Sequence, residues 1–219
     1  MTEAIFFDMD GTLFQTDLIL ASALEDVFHI LRSEGLWDGE TPIETYRAIM
    51  GAPLSVVWET LCPMQSVAQH EKNNALFQQI LIDHITAGRG ALYEGVLETL
   101  ETLYTAYPLY IVSNGQAAYL DAIVMHYGLQ RYVNGVYSID RLPNGNKSDL
   151  VALAMAEADV TAGFVVGDRL SDIRAAKDNQ LTSIGVRFDF STAHELAQAD
   201  EVIDRFDALL RTTQLMKLS

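Results

Sequence analysis

Apolar and polar positions follow two different rhythms along this chain. Near the start, Ile5 to Phe7 is a short apolar run of β-forming residues that reads as a buried parallel strand ending at Asp8. From Thr16 to Ile85 the apolar positions recur at helical spacing instead. LILASALEDVFHILRSEG stops at Gly35, and ETYRAIMG, PLSVVWETL and QHEKNNALFQQILIDHITAG continue in the same manner with no good strand between them. This stretch is expected to be an all-helical block inserted after the first strand.

Beyond it, strands and helices alternate. VLETLETLYTAY reads as a helix, PLYIVSNG as a strand that breaks at Ser113, Asn114 and Gly115, and QAAYLDAIVMHYGL as a helix closed by glycine. NGVYS is a weak strand, KSDLVALAMAEA a helix, GFVVGD a strand, SDIRAAKDN a helix and LTSIGV a further strand. The tail from Ser191 is mixed, with DRFDALLRTTQLM as a final helix. Strand–helix alternation implies right-handed crossovers and a parallel sheet. The expected fold is α/β, a Rossmann-like parallel-sheet core made of residues 1–15 and 86–219, with residues 16–85 as the helical insert.

Composition narrows the picture. A chain of 219 residues that is 49 % hydrophobic can bury a full core, yet no apolar run approaches the roughly 20 residues a bilayer span needs. No basic segment precedes an apolar run and a cleavage site at the N-terminus, so no secretory signal is expected and a cytoplasmic location is the default. The single cysteine, Cys62, allows neither an internal disulfide nor a cysteine-cluster zinc site. Thirty acidic against fourteen basic residues give a formal charge of −16, which argues against a nucleic-acid partner. The same field opposes small anionic substrates, so a site for one needs local positive groups.

Three polar constellations each follow directly on an apolar strand: Asp8 with Asp10, Ser113 with Asn114, and Asp168 with Asp172. In open α/β sheets the carboxyl ends of the strands form the ligand crevice, so these groups are expected to converge. Taken singly, each has an ordinary explanation as a turn or a helix cap. Taken together they suit phosphoryl transfer. Two carboxylates one residue apart repel each other unless a cation intervenes, and hard oxygen ligands fit Mg²⁺. Gly11 permits a tight departure from the strand, and Thr12 offers a hydroxyl and an N–H to an anion. Lys147 stands at a helix start, where the dipole gives an ammonium nothing, so a partner such as Asp8 or a bound phosphate would justify it. In such a site one Asp attacks phosphorus and the second exchanges the proton with the leaving group and then with water. Mg²⁺ would be held by Asp8, Asp168 and a backbone carbonyl at Asp10, while Lys147 and Ser113 would share the phosphoryl charge.

DMDGT, SNG, Lys147 and GDRLSD resemble, in order, the four motifs of the haloacid dehalogenase superfamily, and GDRxxDI with the overall length resembles its phosphoglycolate phosphatase-like branch. The resemblance implies that the helical block is a cap inserted over the active site. It implies Asp8 as nucleophile, Asp10 as general acid/base, and Ser113 with its neighbour Asn114 as phosphate-binding groups. Lys147 matches the family lysine and Asp168 its metal ligand; Asp172 is a second acid supporting the metal shell or the lysine. Arg47 in the cap becomes a candidate for a substrate anion, whereas Trp58 reads as helix core. The chain departs from the branch at Gln15, where an acid is usual, and at Ser148, where a proline is common.

The leading expectation is a Mg²⁺-dependent phosphatase acting on a small phosphorylated metabolite such as phosphoglycolate, a sugar phosphate or a nucleotide, as a monomer or homodimer with no nucleic-acid or membrane partner. A phosphomutase of the β-phosphoglucomutase type would use the same two aspartates, and a non-catalytic binding module is the remaining alternative.

Overall fold

The structure, a computed structural model, describes residues 2–49, 52, 54–142 and 144–216. The chain divides into two compact units, residues 1–15 with 92–219 and residues 16–91.

The first unit is a six-stranded, wholly parallel sheet. Its strands are β1 (Glu3–Phe7), β2 (Leu109–Ser113), β3 (Gly135–Ser138), β4 (Ala162–Gly167), β5 (Thr182–Val186) and β6 (Glu201–Ile203). They lie in the order β3-β2-β1-β4-β5-β6. The chain thus builds outward from β1 to β3, then returns to the other side of β1 for β4. At that reversal the crossover connections diverge and leave a crevice beyond the carboxyl ends of β1 and β4.

Strand alternation decides what faces that crevice. Ala4 and Phe6 of β1 pack with Val112, Leu150, Val151, Ala154, Ala175 and Ala176 in one buried cluster. These partners include residues of α7 (Lys147–Ala158) and α8 (Leu170–Asp178). Phe7 turns the other way and meets Phe206, ring centroids 5.9 Å apart. One step further, Asp8 is in phase with Ala4 and Phe6, on the side where α7 and α8 begin.

Helices α5 (Val96–Leu103), α6 (Ala117–His126), α9 (Ala193–Leu196) and α10 (Leu209–Met216) complete this unit. The segment expected to be one final helix is broken into a 3-10 turn at Phe206–Ala208 followed by α10. Strand β6 and the one-turn α9 were not expected from the sequence. Three residues starting with Glu201 carry too little apolar pattern to stand out from the mixed tail.

The second unit is helical throughout: α1 (Asp17–Ser33), α2 (Ile43–Ala48), α3 (Leu54–Leu61) and α4 (Val67–Thr86). Met50, Gly51 and Pro53, within the segments read as helical, lie outside the described residues. Ser66 caps α4 by accepting from the Gln69 N–H. The core of this unit is aromatic: Phe28, Trp58 and Phe77 are all buried, and the Trp58 ring lies 6.4 Å from Phe28 and 5.9 Å from Phe77. The unit runs to Ala91 rather than to the boundary at residue 85, because α4 continues to Thr86 and its following turn stays with it.

The two passages of the chain at the edge of the first unit are tied together. Phe14 bridges Leu92, and the Gln15 side-chain amide donates to the Leu92 carbonyl at 2.7 Å. An aspartate at position 15 has no such donor. Among the described residues no helix is long and apolar enough to cross a membrane.

Candidate active site

Four side chains from three separate stretches of the sequence meet at the carboxyl ends of β1 and β4. Asp8 follows β1 directly, and its N–H continues the β1–β4 pairing by donating to Val166 O at 2.9 Å. Asp168 follows β4. Lys147 and Asp172 come from the first turns of α7 and α8. All four are buried, at 7 %, 0 %, 5 % and 1 % exposure for Asp8, Asp168, Lys147 and Asp172. Such burial of ionisable groups is tolerated only with partners, and the partners are each other. Lys147 Nζ lies 2.7 Å from Asp8 Oδ1 and 2.5 Å from Asp172 Oδ1.

Local sequence explains how each group is held. Lys147 is the first helical residue of α7 because Asn146 and Asp149 form a reciprocal capping box before it, which fixes where the helix starts. Ser148, in the position where a proline is common, donates its hydroxyl to Asp178 Oδ2 at 2.6 Å and so joins the start of α7 to the end of α8. Asp172 accepts from the Arg169 N–H at 3.0 Å, which caps α8. Its carboxylate lies directly over Gly167: a Cβ built there would fall 2.1 Å from Asp172 Cγ. The glycine of the GD pair is therefore required for Asp172 to reach the lysine, a role the sequence reading did not assign.

The Asp8 carboxylate accepts from the Met9 N–H at 2.8 Å through the same Oδ1 that faces Lys147. The chain then reverses through Gly11, whose φ of +74° belongs to the left-handed region and whose N–H donates to Phe14 O. Thr12 is buried and its hydroxyl donates to Asp168 Oδ1 at 3.3 Å. Ser113 ends β2 at the same edge, with its hydroxyl accepting from the Gly115 N–H at 3.1 Å; Asn114 follows it. Asp10 is half-buried, and Tyr119 of α6 donates its hydroxyl to Asp10 Oδ1 at 2.5 Å.

The electrostatics follow from this crowding. Burial, then the charges of Asp172 and Asp8, push the Asp168 carboxyl well above the ordinary carboxylate range. Burial is also the main reason the Asp172 carboxyl is pushed up to about 6; Asp8 adds to it and Lys147 pulls it back. Burial by itself would lower the Lys147 ammonium, but the charges of Asp172 and Asp8 outweigh it, and the lysine is raised above its ordinary value.

This set fits a divalent cation. One oxygen each of Asp8, Asp168 and Asp172 lie within 4.8 Å of one another. Asp168 Oδ2 is buried without a hydrogen-bond partner, an expensive state for a carboxylate oxygen. When all three carboxylates are ionised, one ammonium leaves two of their charges uncompensated in a buried place, a deficit that a divalent cation matches. All the side-chain donors are hard oxygens, the set that suits Mg²⁺ or Ca²⁺ rather than a thiophilic metal.

The model of the haloacid dehalogenase-like hydrolases matches residues 5–186, a span that holds most of β1, the helical unit, and every strand-end group described above. The chain belongs to this family. It is a hydrolase of that family. Relatives agree in extent. A phosphoglycolate phosphatase of Agrobacterium fabrum is 28 % identical over 212 residues, covering 93 % of this chain and 88 % of the relative. The pyrophosphatase PpaX of Bacillus velezensis is 26 % identical over 225 residues, covering 96 % and 95 %. Among solved structures, a predicted phosphoglycolate phosphatase from Haemophilus somnus superimposes with a TM-score of 0.83 at 21 % identity, over 97 % of this chain and 98 % of that one.

Arg47 is the expected site residue that the structure engages elsewhere. Its Nε and Nη2 meet the two oxygens of Asp17 at 2.8 and 3.2 Å, and its Nη1 meets Glu44 at 2.6 Å. Two carboxylates thus already hold the guanidinium proposed for a substrate anion. Trp58, read as core, is fully buried with its Nε1 donating to Asn74.

Proposed function

We propose that this hydrolase is a Mg²⁺-dependent phosphatase that cleaves a small phosphomonoester through a phosphorylated Asp8. The observation that carries this reading is the buried lysine bridging Asp8 and Asp172 beside Asp168, whose Oδ2 has no partner. An ammonium and a cation site flanking one carboxylate is what a carboxylate nucleophile needs to approach a phosphate dianion.

Asp8, Asp168, Asp172 and the main-chain carbonyl of Asp10 would hold the ion. When bound, Mg²⁺ supplies positive charge that offsets repulsion between carboxylate and phosphate. The protein's own groups do the rest. Lys147 and the Met9 N–H fix the Asp8 carboxylate by Oδ1. Asp8 attacks phosphorus as the ester oxygen leaves with the proton from Asp10. Asp10 then takes a proton from water, which attacks the same phosphorus and returns Asp8 to its free form. Gly11, Thr12, Ser113 and Asn114 line the strand ends where phosphate oxygens would be received, through N–H and hydroxyl groups. The helical unit, which leaves the α/β unit after Gln15 and rejoins it at Leu92, is the candidate for selecting the organic part of the substrate.

The printed activities of the relatives, a phosphoglycolate phosphatase and a pyrophosphatase, support a small phosphorylated substrate and head the panel for testing. Phosphate release is measured from phosphoglycolate, pyrophosphate, sugar phosphates and nucleoside monophosphates, in Mg²⁺ and in EDTA. Release in Mg²⁺ alone is expected, with Asp8→Asn at least about 10³-fold slower. Isomerisation of a sugar phosphate without phosphate release, or a fully active Asp8→Asn protein, would overturn the reading.

A further inference from the structure

Tyr119 makes a contact at the strand ends that no motif of the sequence explains. It lies in the first turn of α6, six residues after Ser113, and is 4 % exposed. Its hydroxyl donates to Asp10 Oδ1 at 2.5 Å across 109 residues of sequence. A hydroxyl donated to one oxygen of a carboxyl group restrains the rotation of that group. The first turn of α6 comes close to Gly115: a Cβ there would stand 3.3 Å from Tyr119 Cδ1 and 3.0 Å from Leu120 Cδ2, tighter than ordinary contact. The bare Gly115 therefore lets the first turn of α6 close over the end of β2, and that closure aims the hydroxyl at Asp10.

We infer that Tyr119 is a positioning residue for the proton exchange carried out by Asp10. The inference rests on the phosphatase reading. Held by Oδ1, the Asp10 carboxyl keeps its plane, and hence its Oδ2, in one place through both halves of the reaction. In the first half the Asp8 carboxylate forms its bond to phosphorus, the ester P–O bond breaks, and the leaving oxygen takes the Asp10 proton and departs as an alcohol. In the second half Asp10 takes a proton from water, the water oxygen bonds to phosphorus, the Asp8–phosphorus linkage breaks, and inorganic phosphate is released. The tyrosine hydroxyl neither gains nor loses a proton in either step; it fixes where the exchange happens. Misplacing a general acid by about 1 Å can cost on the order of 100-fold.

Tyr119→Phe removes the hydroxyl and keeps the ring that packs on Gly115, so the fold is preserved. The discriminating readout is leaving-group dependence of the first half-reaction, measured as single-turnover loss of substrate with Mg²⁺. Phosphoglycolate must expel an alkoxide and needs the proton; p-nitrophenyl phosphate expels a stable phenolate and does not. The variant is expected to be about 10- to 100-fold slower on phosphoglycolate and within about 3-fold of wild type on p-nitrophenyl phosphate, with KM for both unchanged. Equal losses on the two esters, or none on phosphoglycolate, would overturn the role of Tyr119 while leaving the phosphatase reading intact. A wild-type protein that releases phosphate from neither of these esters nor any other member of the panel, with Asp8→Asn indistinguishable from it, would overturn the phosphatase reading and this role with it.

Discussion

The two units of this protein bury opposite kinds of side chain. The helical unit fills its centre with rings: Trp58 meets both Phe28 and Phe77, and Trp37 packs edge-on against Phe28 and Tyr46 against Phe77. Its buried histidine, His84, is satisfied by Asp26 at 3.0 Å and by Ser22 at 3.3 Å. The α/β unit also has an apolar core, but at the ends of β1 and β4 it buries three carboxylates and an ammonium. Apolar burial lowers the free energy of folding directly, whereas buried ions cost more in desolvation than their pairing regularly returns. A cluster this costly at the topological switch point is what the phosphatase reading expects, and the helical unit shows how the same chain packs a core with few buried charges.

The largest expected effects come from breaking each centre in turn. Lys147→Met strands Asp8 and Asp172 without their cation and is expected to cost about 3–5 kcal/mol in urea denaturation with EDTA, with phosphate release lost. Trp58→Ala opens a cavity among rings and is expected to cost a similar ~3–5 kcal/mol. The two losses separate by their response to conditions. Lowering the pH protonates the stranded carboxylates and recovers part of the Lys147→Met loss; it leaves the Trp58→Ala loss unchanged. If both variants lost the same stability at every pH, the two centres would not differ in kind.

Next in size is the effect of Mg²⁺ itself. The raised Asp168 and Asp172 carboxyls bind protons more tightly in the folded than in the unfolded chain. In EDTA these two groups therefore make stability fall as pH rises from the ordinary carboxylate range through about 6 for Asp172. A bound cation reverses that by stabilising the ionised forms. Mg²⁺ at a hundredfold excess over Kd should raise the melting temperature by about 5–10 °C at neutral pH. The gap between Mg²⁺ and EDTA melts should narrow as pH falls below about 6, where the ion must displace protons. A gap of constant size from about pH 5 to about pH 8 would remove these carboxylates from the ion site.

What could be read in advance divides along the same line. The alternation of strands and helices, the helical insert and the clustering of polar groups after apolar strands are periodic or positional signals, and the parallel sheet follows from them. The catalytic-looking aspartates and Lys147 were visible because they break an apolar pattern at a strand end or sit at a helix start where a lysine gains nothing. Other features depend on tertiary contact. Gly167 is needed only because Asp172 folds over it, and Tyr119 looks like any apolar position of an amphipathic helix until Asp10 is brought beside it. The capping box of Asn146 and Asp149, which marks the start of α7 at Lys147, was not read from the sequence; it shows only in the reciprocal hydrogen bonds of the structure. Strand β6 was too short and too polar to carry a pattern.

Arg47 gives the smallest expected effect and the sharpest test of the helical unit's part in substrate choice. Its guanidinium holds Asp17 and Glu44, and the pairs are open to solvent: the side chain is 35 % exposed, that of Asp17 36 % and that of Glu44 84 %. Pairs this open are screened by water and contribute about 0–1 kcal/mol, so Arg47→Ala should change stability by no more than that. Its neighbours predict a similarly small effect on turnover, because a guanidinium already bidentate on one carboxylate and bonded to a second offers a substrate anion little unshared charge. KM for phosphoglycolate, whose carboxylate would be the natural partner of such an arginine, is expected to rise less than about 3-fold in Arg47→Ala. A rise of about 100-fold in KM with kcat unchanged would mean that Arg47 leaves Asp17 for the substrate. In that case the helical unit, for all its apolar packing, would contribute a charged contact to binding.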